Sequence, residues 1–386
     1  MATLFEPITL RSITVTNRTM VSPMCMYSAK DGVADDFHFV HLGRFALGGW
    51  GLVMVEATAV EPRGRITHGD LGLWSDEQIA PLARIASFLK KHGAVPAIQL
   101  AHAGRKASVQ RPWEGDGPLA EAQFRVGEKP WDVVGPSALP FDEGWLKPTE
   151  LSTSELEQIK DAFVASVRRA LDAGFEVIEM HAAHGYLLNS FLSPLSNHRT
   201  DQYGGGRDAR FRFPLEVAEA MRLAWPDHLP MFVRLSASDY VEGGVTIDDT
   251  VEFAKKLRQL GVDVVDLSSG GISPKGIPPR GYGFQVPFAE RVRKNAEVAT
   301  AAVGLITRPE QAEQILSSGQ SDFIAIAREA LADPNWPLHA RRTLDQQGSD
   351  HFEGWPTQYQ VWLSKRARVL RELDAPVTDG DFAGVK

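Results

Sequence analysis

Apolar residues recur along the chain in two alternating rhythms. Short runs rich in Val, Ile, Leu and Ala, at 19–21, 52–55, 95–100, 177–180, 231–235, 264–267, 298–303 and 323–327, read as strands. Between most of them lie stretches with apolar positions three and four apart, at 39–47, 76–91, 152–173, 207–225, 247–260, 286–295 and 309–317, which read as helices. Ser152 followed by Glu155 makes a capping box, Ser75 precedes Asp76, and Gly93, Gly174 and Gly261 close three of the helices. Strands alternating with helices imply a parallel sheet covered on both faces. Eight strands is the number that closes a (β/α)8 barrel. An open doubly wound sheet is the rival, but no Gly-x-Gly-x-x-Gly turn follows the first strand. The fold expected is therefore α/β, a (β/α)8 TIM barrel. Ahead of it, residues 4–17 alternate apolar and polar around Arg11-Ser12, a hairpin placed to plug the barrel.

Two regions break the rhythm. Residues 105–148 carry Trp113, Trp131 and Trp145 among many Gly and Pro, with no sustained period. Following the third strand, they would cap the catalytic mouth of a barrel. Beyond Ala340, Trp355-Pro356 leads into a helical pattern at 359–372. The chain reads as one domain over 1–386, with 105–148 as a capping loop and 341–386 as a C-terminal extension suited to a subunit interface.

Composition narrows the partners. Of 386 residues 43% are hydrophobic and 23% charged, ordinary for a protein with a large core, and a net charge of −8 argues against nucleic acid or an anionic membrane. A single cysteine, Cys25, excludes an intramolecular disulfide and suits a reducing compartment. Residues 1–7 lack a signal pattern and no apolar run is long enough to span a bilayer, so a soluble cytoplasmic protein is expected.

In a barrel, chemistry collects at the C-terminal ends of the strands. Those ends deliver Ser22-Pro23-Met24-Cys25-Met26-Tyr27, then Glu56-Ala57-Thr58, Gln99 leading to His102-Ala103-Gly104-Arg105-Lys106, Arg234, Ser268-Ser269-Gly270-Gly271, Gly304 and Arg328. The fourth delivers Val177-Ile178-Glu179-Met180-His181-Ala182-Ala183-His184-Gly185-Tyr186. With the strand ending near Met180 and the chain then coiling, His181 and His184 fall on one face of the first turn. Two imidazoles there can grip a metal or donate two hydrogen bonds to one oxygen, and Tyr186 can deliver a proton to the same ligand. The plain alternative is one core and one surface histidine; a third metal ligand at recognisable spacing is missing. Gly304 with Arg328 suits a phosphate, or is a turn and a surface ion pair. Arg234, inside an apolar run, is either salt-bridged in the core or faces an anion. Cys25 reads as a small core residue and not a nucleophile, and Tyr27 as packing. No Walker pattern is present.

Taken together, the motifs at 22–27, Glu56-Ala57-Thr58-Ala59-Val60, 101–106, 181–186 and Ser196-Asn197-His198-Arg199-Thr200-Asp201-Gln202-Tyr203-Gly204-Gly205 resemble the Old Yellow Enzyme family, in its thermophilic-like or xenobiotic reductase class. The resemblance runs in order from Leu4 to about Pro337. It implies a (β/α)8 barrel with non-covalent FMN on its C-terminal face, NADPH or NADH as reductant, and reduction of the C=C bond of α,β-unsaturated carbonyl compounds. It further implies that Pro23, Met24, Cys25, Ala57, Gln99 and Arg234 surround the isoalloxazine, and that Gly304 and Arg328 hold the phosphate. His181 and His184 would bind the substrate carbonyl, Tyr186 would give the proton, Tyr27 would assist binding, and Cys25 would tune the ring. Two positions depart from relatives. Val303 stands where some carry tryptophan, and Val361 where a C-terminal arginine enters the neighbouring subunit of a homo-oligomer, leaving Trp362 for that substrate-contacting role. Two rivals stay open: a metal-dependent barrel hydrolase using His181 and His184, and a flavin-binding protein without catalysis.

Overall fold

The computed structural model describes residues 3–345 and 352–374; the rest of the C-terminal extension expected at 341–386 lies outside the described residues. Eight parallel strands close into a barrel: β1 (Thr19–Val21), β2 (Leu52–Ala59), β3 (Val95–Ala101), β4 (Val177–Ala182), β5 (Met231–Ser236), β6 (Val264–Ser268), β7 (Ala299–Ala302) and β8 (Phe323–Ile326), in sequential order with β8 pairing β1. The helices following them are α1 (Asp36–Leu47), α2 (Ile79–Lys91), α3 (Thr153–Asp172), α4 (Arg207–Ala224), α5 (Ile247–Gln259), α6 (Val286–Ala296), α7 (Pro309–Ser317) and α8 (Trp336–Leu344). This is the (β/α)8 barrel expected, with the strand and helix bounds shifted by a few residues.

Every strand is buried on both faces, and successive residues alternate between two cores. Ile178 and Met180 of β4 join Ile98, Leu100, Val233 and Leu235 in the outer core beneath the helices. Val177 faces inward with Leu52, Met54, Ala97, Phe232, Val264, Ala301 and Phe323. The hairpin Ile8–Leu10 with Ile13–Val15 sets Ile8, Leu10, Ile13 and Val15 against that inner layer, so it closes the N-terminal end of the barrel. The inward positions further along the strands turn polar: Gln99, Glu179, His181, Arg234, Ser236, Asp266 and Ser268, all buried. The apolar floor and the polar upper layer come from one period-2 pattern.

Caps fix where the helices start. Ser152 Oγ accepts from the Glu155 N–H at 3.3 Å while Glu155 Oε2 accepts from the Ser152 N–H at 2.9 Å, as the sequence predicts. Residues 105–148 are not structureless: they hold 3-10 turns, a short helix Glu121–Arg125, and Val134–Gly135 paired in parallel with Thr149–Glu150. No helix among the described residues is long and apolar enough to cross a membrane.

Candidate active site

The first wall of the site is the segment after β1. The Met26 N–H donates to Glu56 Oε1 at 3.0 Å, tying this segment to β2 where a bulge between Val55 and Thr58 also carries Ala57. Tyr27 sits at φ +51°, and its carbonyl accepts from Arg111 Nε at 3.3 Å. Arg111 is held in turn by both oxygens of Glu128, which fastens the loop after β3 to this wall. Cys25, Tyr27, Tyr186, Trp131 and Trp145 pack around Ile66, Ala103, Ala107, Val109 and Val133. Burial pushes the Cys25 thiol well up, with Asp70 and Glu56 adding to it, so the protonated thiol is favoured over the thiolate. Burial likewise raises the Tyr27 and Tyr186 hydroxyls, so both remain proton donors.

The histidine pair is built differently from the expectation. β4 continues to Ala182, so His181 is a strand residue pointing into the barrel opposite Arg234, and the next helix begins only at Leu187. The pair therefore does not lie on one helical turn. His184 follows at φ +60° and Gly185 at φ +76°, and this left-handed step swings the second ring back beside the first. The ring centroids of His181 and His184 are 5.3 Å apart, and those of His181 and Tyr186 5.1 Å. A Cβ on Gly185 would stand 2.1 Å from the Gly271 carbonyl oxygen, so only glycine fits where the loops after β4 and β6 cross.

Residues that sequence reasoning did not assign hold the pair. Ser236 Oγ accepts from the His184 N–H at 2.8 Å, and Ser268 Oγ lies 2.7 Å from His184 Nε2. Lys106 Nζ donates to the carbonyls of His184 and Gly271 and stands 5.2 Å over the Tyr186 ring. The serines and Lys106 are polar residues at strand ends, which was the available signal; their partners are set by barrel register. Burial, then Arg234 and Lys106, hold both imidazoles well below the ordinary histidine range, so each ring is neutral at pH 7. His181 Nδ1 accepts from the Ala183 N–H at 3.4 Å, which leaves Nε2 as the protonated nitrogen.

Gln99 and Arg234 lie below and beside the pair. Gln99 Nε2 donates to Glu179 Oε1 at 2.7 Å. Arg234 Nε stands 3.2 Å from Asp266 Oδ2, near enough to pair charge but not aligned as a hydrogen bond. Across the mouth, Gly304, Ala327 and Arg328 line a cavity of about 350 Å³ together with Val303, Phe284 and Gln285. Gly304 is at φ +126°, and a Cβ there would meet Gln285 Nε2 at 3.0 Å. Arg328 is exposed and makes no ion pair or hydrogen bond among the described residues. Pro23, Met24 and Cys25 after β1, Ala57 on β2, Gln99 on β3, His181 on β4 and Arg234 on β5 thus share one end of the barrel with Gly304 and Arg328. Trp362 does not join them within its own chain. It is 68% exposed on the helix Thr357–Asp374, its ring against Lys365 Nζ. Among the described residues no three His, Cys, Asp or Glu side chains converge on a metal.

The model of the NADH:flavin oxidoreductase / NADH oxidase family matches residues 3–347. The chain belongs to this family. Among its relatives, the NADPH dehydrogenase of Geobacillus sp. (strain WCH70) is 47% identical over 88% of this chain and 94% of that protein. The NADPH dehydrogenase of Bacillus subtilis (strain 168) is 45% identical over 89% and 96%. Of solved structures, morphinone reductase aligns with a TM-score of 0.74 at 26% identity, over 88% of this chain and 90% of that one. A complex of 2-naphthoyl-CoA reductase aligns at 0.79 but at 24% identity, and the chain spans only 53% of it, so that likeness speaks for the fold alone. The family is that of the Old Yellow Enzymes, and the protein is an FMN-dependent NAD(P)H oxidoreductase.

The residues present fit FMN. A cavity lined by Gly304, where a Cβ would crowd Gln285 and Phe284, and by a guanidinium with no ion-pair partner among the described residues, suits a phosphate. A buried amide on β3 and a buried guanidinium on β5, either side of β4, suit the polar edge of an isoalloxazine.

Proposed function

We propose that this oxidoreductase is an ene-reductase, acting on the C=C bond of α,β-unsaturated carbonyl compounds through His181, His184 and Tyr186. The observation that carries this reading is the convergence of the His184 imidazole and the Tyr186 phenol on the His181 ring, at 5.3 and 5.1 Å between centroids. When bound, FMN supplies the hydride that it has taken from NAD(P)H. The chain's own residues do the rest. His181 Nε2–H and the free N–H of His184 hold the carbonyl oxygen, on which negative charge develops as the β-carbon receives hydride. Each such donor contributes roughly 3–4 kcal/mol in comparable oxyanion sites. Tyr186 O–H gives its proton to the α-carbon, a transfer for which a buried, protonated phenol beside the carbonyl site is suited. Tyr27 closes the substrate's other side, held by Arg111 and packed against Trp113 at 6.0 Å between centroids.

Pro23, Met24, Cys25, Ala57, Gln99 and Arg234 would hold the isoalloxazine, and Gly304 with Arg328 the phosphate. An Arg234 cation near the ring favours its electron-rich form. Trp362 reaches substrate in this reading only through a second copy of the chain. The metal-hydrolase alternative finds no third ligand among the described residues, and a storage protein has no use for the donor pair. Anaerobic absorption spectra of the holoenzyme test the proposal. Flavin bands should bleach with NADPH and return on adding 2-cyclohexenone; bleaching without return would reject enones as oxidants.

A further inference from the structure

Four polar side chains line the barrel interior on four successive strands: Gln99 on β3, Glu179 on β4, Arg234 on β5 and Asp266 on β6. All are buried, and Glu179 and Asp266 have no exposed surface at all. Their contacts leave acceptors over. Gln99 Nε2 serves Glu179 Oε1, and Arg234 Nε approaches Asp266 Oδ2, but Glu179 Oε2 and both Asp266 oxygens lack a hydrogen bond. One cation therefore faces two carboxyl groups where a second bare negative charge is costly. Such a cluster is held most cheaply with one carboxyl protonated. Burial raises Asp266 as well, but Arg234 at 3.2 Å pulls it back, so Asp266 is the carboxyl that ionises first. Glu179 has no such partner; burial and the Asp266 charge push it up to about 8, against the pull of Arg234.

We propose that Glu179, wherever it is ionised in the oxidised protein, takes up a proton at Oε2 when negative charge arrives beside Gln99 and Arg234 and releases it when that charge leaves, whereas at lower pH it stays protonated throughout, with Asp266 positioning Arg234. This deepens the function proposed above and rests on its placement of the isoalloxazine over Gln99 and Arg234. Hydride from NAD(P)H carries two electrons and one proton and brings one negative charge into the pocket. A proton drawn from solvent to Glu179 cancels it. When hydride passes on to the alkene carbon, that charge goes with it and Glu179 returns its proton to solvent. The proton on the α-carbon still comes from Tyr186, so the two transfers stay separate. The groups facing Glu179 are Gln99 and Arg234 from the neighbouring strands β3 and β5, Asp266 from β6 one strand further on, and His181 from its own, and His181 stays neutral.

Spectroelectrochemical titration of the FMN holoenzyme from about pH 6 to about pH 10 tests this. In the wild type the potential should fall with one proton per electron pair at low pH, then steepen two-fold once Glu179 is ionised in the oxidised protein. Glu179→Gln should keep the one-proton slope throughout. Asp266→Asn should move the onset of the steep segment to lower pH, because Asp266 raises Glu179. A merely structural role would change FMN affinity without touching that onset. A uniform slope in the wild type, which needs no variant, overturns the proposal, as does an onset retained in Glu179→Gln. Arg234→Ala separates the two layers. Unchanged FMN affinity and potential in that variant would overturn the placement of the ring itself; changed values beside a uniform wild-type slope would overturn only the proton uptake.

Discussion

His184 Nε2 stands 2.7 Å from Ser268 Oγ, a contact reaching from the end of β4 past β5 to the end of β6. If the serine hydroxyl donates, the ring's other nitrogen, Nδ1, carries the proton and faces the pocket. Ser268→Ala should then loosen the ring and weaken binding of a phenol probe such as 4-hydroxybenzaldehyde by roughly 3–10-fold, the worth of one hydrogen bond of about 0.5–1.5 kcal/mol. Absorbance titration of the holoenzyme measures it, and nitrogen NMR of the imidazoles reads the tautomer directly. Protonated Nε2 in the resting enzyme would contradict the assignment.

Gly185 is a steric requirement of the crossing between two loops. A Cβ there would lie 2.1 Å from a carbonyl oxygen, whereas nothing lies within 4 Å of one on Gly93, at a similar φ of +86°. Gly185→Ala should therefore destabilise by more than about 3 kcal/mol, and Gly93→Ala by only about 1 kcal/mol for the left-handed backbone alone. Urea unfolding of both variants checks this. Equal losses would mean that the contact with Gly271 is relieved by a small loop shift.

The phosphate role of Arg328 can be measured without turnover. Arg328→Ala should raise the FMN dissociation constant by roughly 10–100-fold, since hydrogen bonds to a charged group contribute about 1.5–3 kcal/mol. Riboflavin, which lacks the phosphate, should bind wild type and variant alike. Fluorescence quenching reads both. Equal loss for FMN and riboflavin would place Arg328 outside the phosphate site.

Much of this arrangement is legible in sequence, and the reason is repetition. Strands buried on both faces read as short apolar runs, and eight of them between amphipathic helices leave few folds to choose from. Strand ends then point to Cys25, Gln99, His181, Arg234, Gly304 and Arg328 one after another. The turn at His184 is not legible, because a histidine at φ +60° leaves no pattern and depends on Gly271, which lies 87 positions on by its number. For the same reason the histidine pair reads as a helical face when it is a strand residue and a left-handed turn. Ser268 and Asp266 are plain polar residues until barrel closure sets them against His184 and Arg234. The internal order of 105–148 stays hidden too, since its Arg111–Glu128 clamp and two-residue strands have no period.

Glu56 links stability to pH. Its carboxyl accepts the Met26 N–H, and burial raises it from 4.5 to about 8. A group raised in the folded state holds its proton there longer than in the unfolded chain. Its contribution is therefore complete below pH 4.5 and is lost as pH rises towards 8. Glu56→Gln can still accept from Met26 and carries no such loss. The stability of the variant relative to wild type should rise between pH 5 and pH 8 in urea unfolding. A constant difference would show that Glu56 does not titrate in this window.

The role of Tyr186 as proton donor is tested most directly by separating the two half-reactions in a stopped-flow instrument. Tyr186→Phe holoenzyme should be reduced by NADPH at nearly the wild-type rate, while its reoxidation by 2-cyclohexenone should slow by roughly 10²-fold or more, the usual worth of a positioned acid. Equal slowing of both half-reactions, or no slowing of reoxidation, would remove Tyr186 from the chemistry and contradict the account.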